Sequence, residues 1–105
     1  MQIKEGVNIQ GVHPVMREVM GICENVYKDL GRTLTITSGL EGTHCATSWH
    51  PCGRAIDIRT RNLSAQQAYG VYKELKAILG YGFKVIIHTG EQQHIHVAFT
   101  LSGVA

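Results

Sequence analysis

Apolar residues recur at Val15, Val19, Ile22, Val26 and Leu30, with Met16, Met20, Cys23 and Tyr27 beside them, a broad stripe at helical period. His13-Pro14 gives the entry, because proline is pre-set for the first helical position, and Gly31 gives the exit. Cys23 and the methionines on this stripe are expected in the core, methionine as adaptable filler. A second helix opens at Ser64-Ala65-Gln66-Gln67, a capping box. It keeps helical spacing through Ala65, Ala68, Tyr72, Leu75 and Leu79, joined by Val71 and Ile78, until Gly80 closes it.

Elsewhere the period drops to that of a strand. Leu34 to Ser38 alternates apolar and β-branched polar residues, and Ala55 to Arg59 puts Ile56 and Ile58 on one face with Ala55, Asp57 and Arg59 on the other. Phe83 to His88 is a third strand, Thr89 to Gln93 a turn, and His94 to Thr100 a fourth strand that completes a hairpin. In that last strand Ile95, Val97 and Phe99 share one face, while His94, His96 and Ala98 share the other. From Gly39 to Cys52 no period survives, which predicts a long surface loop of the kind that usually serves function. The sum is one α+β domain over residues 1–105: a small antiparallel sheet of about four strands with two helices packed on one face.

Composition narrows the function classes. At 105 residues there is no room for a second domain, and 44% hydrophobic with 17% charged residues fits an ordinary globular chain. A net charge of +2 with no block of like charge gives no reason to expect nucleic acid or a membrane as partner, and a monomer is expected. Met1 to Glu5 lacks the apolar centre of a secretory signal, so synthesis as a soluble cytoplasmic product is expected, with release or delivery needed for any substrate outside. Three cysteines are an odd number for a disulfide framework; Cys45 and Cys52 are open to a free-thiol, a disulfide or a metal-ligand reading.

The strand faces change the picture. Asp57 on one strand and His94 and His96 on another all point away from the core, and His50 lies on the loop that leads into the Asp57 strand, with Gly53 permitting a sharp turn between them. Two imidazoles and one carboxylate, His50, Asp57 and His96, make a three-ligand zinc site with one position left for water, the arrangement of hydrolytic rather than structural zinc.

Ser48-x-His50-x-x-Gly53-x-Ala55-x-Asp57 resembles the S-x-H-x-x-G-x-A-x-D signature of zinc peptidases of the D-alanyl-D-alanine carboxypeptidase and phage L-alanyl-D-glutamate endopeptidase type, which share a fold with the hedgehog signalling domain. His94-x-His96 resembles the second motif of that group, and the likeness spans about residues 13 to 100. It implies Zn2+ held by His50, Asp57 and His96, a loop shaped by Ser48 and Gly53, His94 facing the site without ligating, and hydrolysis of bacterial peptidoglycan peptide. Together with the missing signal, it implies a phage or prophage lysis enzyme.

The chain departs from these relatives in two places. Many carry Glu three residues before the last histidine as general base; here that position is Gln93, which takes no proton, leaving Glu91 and His94 as catalytic candidates. Relatives often follow Thr-Ser-Gly with an aromatic residue and a carboxylate-gripping arginine, where this chain has Leu40 and Glu41. Arg54 or Arg59 is then the candidate guanidinium. Ser48 and Trp49 complete the substrate-binding candidates, Trp49 as a substrate wall or as a pin for the loop. Two other classes stay in view: a catalytically inactive zinc domain with a structural or partner-binding role, which Gln93 favours, and a redox or regulatory metal module built on His44, Cys45, His50 and Cys52.

Overall fold

His13 begins the first helix, α1 (Pro14–Asp29), as its sequence requires: the imidazole Nδ1 accepts the Val15 N–H at 3.2 Å, and Pro14 fills the first turn. The helix ends in a glycine turn, with Gly31 at φ 68°, its N–H donating to the Lys28 carbonyl and that of Arg32 to the Tyr27 carbonyl. The second helix, α2 (Ala65–Leu79), carries both halves of its capping box: Gln67 N–H donates to Ser64 Oγ, and Ser64 N–H to Gln67 Oε1, each at 3.0 Å.

The computed structural model describes residues 1–39 and 53–100. Its strands are β1 (Gln2–Ile3), β2 (Thr35–Ser38), β3 (Ala55–Arg59), β4 (Phe83–His88) and β5 (His94–Phe99), in the sheet order β1-β2-β3-β5-β4. The expected antiparallel sheet of about four strands differs from the one found. Among the described residues the sheet is mixed and has five strands, because β1 joins the edge parallel to β2 with Gln2 opposite Thr35. Two exposed residues carry no alternation, so their pairing has no signature in the sequence.

Each helix contributes to one buried cluster. Met16, Val19, Cys23 and Val26 of α1 and Val71 and Leu75 of α2 meet Ile36, Ile56, Ile58, Ile95 and Val97 of the sheet. The sheet members all belong to one face, so both helices pack there and the opposite face is left for other work. Cys23 is wholly buried, and burial pushes its thiol up to about 12, which keeps it neutral and inert as a ligand or nucleophile. Among the described residues no helix is long and apolar enough to cross a membrane.

Tyr27, also wholly buried, donates its hydroxyl to the Arg59 carbonyl at 2.5 Å, tying α1 to the end of β3 only two residues from Asp57. Burial, with Cys23 nearby, raises the Tyr27 pKa and holds the donor proton in place. Tyr27→Phe keeps the ring but leaves that carbonyl without its donor, and is expected to cost about 1 to 2 kcal/mol. Denaturant unfolding of the variant reads this as a lower midpoint with unchanged slope; an unaltered midpoint would remove the bond as an anchor of β3.

Candidate functional site

Strands β3 and β5 pair antiparallel with Asp57 opposite His96 and Arg59 opposite His94. Because side chains alternate, these four residues share the face turned away from the helices, while Ile56, Ile58, Ile95 and Val97 between them fill the core. The expectation that Asp57, His94 and His96 face one way is therefore met, and their strands turn out to be direct neighbours.

The contacts are close. His96 Nδ1 lies 3.0 Å from Asp57 Oδ1, with the two side chains 18% and 19% exposed. On the other carboxylate oxygen, Asp57 Oδ2, His94 Nε2 stands at 3.7 Å, too far for a hydrogen bond but close enough for charge to be felt. The second nitrogen of His94, Nδ1, is 2.7 Å from the Gln92 carbonyl, which only accepts. The proton therefore sits on Nδ1, and a neutral His94 carries its lone pair on Nε2, the side nearer Asp57. His88 stacks on the same ring, with centroids 4.5 Å apart and planes 21° from parallel, so His94 is held both by its edge and by its face.

As the last residue of β4, His88 carries no chemical signal of its own in the strand pattern. The turn between β4 and β5 already implies its place, since a hairpin closing over Thr89 to Gln93 sets residue 88 against residue 94, the register observed. Glu91, exposed in that turn, lines one open cavity of about 430 Å³ together with Gln93, His94, Asp57 and Arg59. Arg54 does not line it; its guanidinium lies 5.9 Å from the centre of the Phe99 ring. Of the two arginine candidates, the structure brings only Arg59 to the Asp57 cavity.

His50, Ser48 and Trp49 lie outside the described residues, as do His44, Cys45, Cys52, Leu40 and Glu41. Among the described residues no group of three or more ligating side chains is gathered around a common point. Asp57 and His96 are a pair, and the pair suits zinc in chemistry and spacing. Donors about 2.0 to 2.1 Å from a tetrahedral ion stand roughly 3.3 Å apart, near the 3.0 Å between Nδ1 and Oδ1.

Two glycines bracket residues 40–52, and both are pressed against the stretch before α1. A Cβ on Gly39 would lie 2.6 Å from the Asn8 carbonyl oxygen. One on Gly53, at φ 74°, would lie 3.0 Å from the Val12 Cα, and the His13 N–H donates to the Gly53 carbonyl at 2.8 Å. The stretch of residues 8 to 13 thus lies against both Gly39 and Gly53, the described residues on either side of 40–52. Gly53→Ala combines a left-handed backbone with a backbone clash and is expected to destabilise by at least about 1 to 2 kcal/mol. Gly21→Ala, mid-helix with nothing within 4 Å, is expected to stabilise by up to about 1 kcal/mol. Thermal unfolding of the two variants compares them directly, and equal midpoints would show that residue 53 is not clamped.

Compared with family models, curated proteins and solved structures, the chain gives no match.

Proposed function

We propose that this protein is a zinc-dependent peptidase that hydrolyses amide bonds in bacterial peptidoglycan stem peptides, of the D-Ala-D-Ala carboxypeptidase or L-Ala-D-Glu endopeptidase type, acting as a phage or prophage lysis enzyme. The observation that carries the reading is the Asp57–His96 pair, 3.0 Å apart across β3 and β5, at the positions where the sequence signature calls for two of three ligands.

In this reading His50, Asp57 and His96 hold the ion. When bound, zinc supplies Lewis acidity toward the scissile carbonyl and lowers the pKa of water toward about 7. The chain's own residues must then move protons: one is taken from water and one given to the departing amine. Gln93 cannot do either. His94 suits the task because its Nδ1–H is committed to the Gln92 carbonyl, which leaves Nε2 as the exchanging atom beside Asp57. Stacking on His88 keeps that ring from swinging out. Glu91, on the rim of the same cavity, is the second carrier.

A catalytically inactive zinc domain is the alternative, favoured by Gln93, which lines the cavity with no proton to exchange. Digestion of purified peptidoglycan, followed by mass-spectrometric identification of new termini, separates the two. The peptidase reading expects new termini that vanish with chelator and return with zinc. His96→Ala is expected to lose metal and hydrolysis together, whereas His94→Gln or Glu91→Gln is expected to keep zinc and lose about 100-fold or more in kcat if the altered residue carries the proton. Stoichiometric zinc without new termini would select the inactive domain. Absence of zinc binding would overturn both.

A further inference from the structure

A second cavity, of about 320 Å³, opens where the start of α2 meets the β4–β5 hairpin, with Ala65, Ala68 and Tyr69 on the helix side and Ile87 and His88 on the hairpin side. Lys4, Arg59, Arg61 and Glu91 put charge on the wall of the cavity beside Asp57, but among the described residues no Asp, Glu, Lys or Arg lines this one. Such a concavity selects an uncharged ligand, because an ion entering it would lose hydration with nothing to replace it.

One polar group interrupts the apolar surface. Thr60 lines the cavity and is 1% exposed, the most buried residue of the wall. Its carbonyl accepts the Leu63 N–H at 2.9 Å, whereas its hydroxyl has no hydrogen-bond partner among the described residues. Buried hydroxyls are nearly always bonded, so one left open in a cavity wall is free to serve a ligand. Tyr69 is half exposed, and its ring is held by Lys73, whose Nζ lies 5.6 Å over it, and by Tyr72 with centroids 5.9 Å apart. The cavity also adjoins the Asp57 site: Gln93 lines both, and His88 stacks on His94.

We infer that this cavity is a subsite for the acetamido group of an N-acetylated amino sugar, and that the bond cut is the one next to that sugar, L-Ala-D-Glu; the source of the sugar rests on the peptidase reading. An acetamido group is uncharged, ends in a methyl that matches Ala65, Ala68 and Ile87, and offers a carbonyl that accepts from the Thr60 hydroxyl. The apolar face of a pyranose ring packs on an aromatic face such as that of Tyr69. Stem-peptide carboxylates and the ammonium of a diamino residue would enter with no counter-charge. Position decides between the two bonds. The His88 and His94 rings are 4.5 Å apart, so the cavity starts about one residue length, roughly 3.8 Å, from His94. Only L-Ala separates the lactyl arm of the sugar from an L-Ala-D-Glu bond, whereas four residues, roughly 14 Å of extended chain, separate it from D-Ala-D-Ala.

The test titrates methyl N-acetyl-β-glucosaminide, and methyl β-glucoside as its counterpart without the acetamido group, into the isotope-labelled chain. At millimolar concentration the first should move the backbone amide signals of Thr60, Ala65, Ala68 and Tyr69 and the second should not. Thr60→Val removes the hydroxyl with little change of shape, and Ala65→Leu, at an exposed position, fills the cavity; each should abolish the selective shifts. Thr60→Val should also keep or raise the thermal midpoint, since no bond is lost, and a lower midpoint would show the hydroxyl bonded within the chain and overturn its role. In parallel, N-acetylmuramoyl-L-Ala-D-Glu and the sugar-free lactoyl-L-Ala-D-Glu are compared as substrates. The sugar-bearing peptide should lead about tenfold or more in kcat/KM, mainly through KM, with a ratio near one in Ala65→Leu. Cleavage of the two at equal rates, or cleavage of D-Ala-D-Ala alone, overturns the inference and leaves the peptidase reading intact. Selective shifts without any cleavage uphold the acetamido site and overturn the peptidase. Neither shifts nor cleavage overturns both.

Discussion

A one-residue slip between β3 and β5 would turn Asp57 or His96 through the sheet and into the helices, because successive side chains alternate faces. The register is held by what lies on the other side: Ile56 opposite Val97 and Ile58 opposite Ile95, all wholly buried. Fully burying each such side chain is worth about 1.5 to 3 kcal/mol, and a slipped pairing would exchange it for a carboxylate or an imidazole in an apolar core. The same apolar contacts that close the core therefore bring a carboxylate and an imidazole within 3.0 Å on the far face.

Around that pair the site is built by short-range positioning. The Gln92 carbonyl fixes the His94 tautomer, His88 fixes its plane, and the β3 end that carries Arg59 is pinned from behind by Tyr27. His88 and Tyr27 sit on regular elements and Gln92 in the short turn between β4 and β5, and groups placed in this way are held more precisely than those on free loops.

Much of the fold is legible in the residues. Ala55–Arg59 and Phe83–His88 fall at the bounds that alternation and turn residues set, and both helices begin and end at their Pro, Ser and Gly signals. The edge strand Gln2–Ile3 is not, because two exposed residues pair through backbone groups that every sequence has. Strand order is equally silent in a period-two pattern, so the adjacency of β3 and β5, on which the Asp57–His96 contact depends, emerges only from the sheet. The facing of Asp57, His94 and His96 follows from alternation alone. The cavity partners Lys4 and Arg61 do not, since Lys4 reaches the site through β1. Nor does the grip of residues 8 to 13 on Gly39 and Gly53, which is a matter of close backbone approach between distant stretches.

Anomalous diffraction at the zinc edge, from crystals of the chain grown with zinc, addresses the central claim most directly. One strong peak is expected about 2.0 to 2.2 Å from both Asp57 Oδ1 and His96 Nδ1, with a His50 nitrogen as third protein ligand and one position held by solvent. A map with no peak at that pair, or with zinc bound instead by cysteine sulfur, would contradict it.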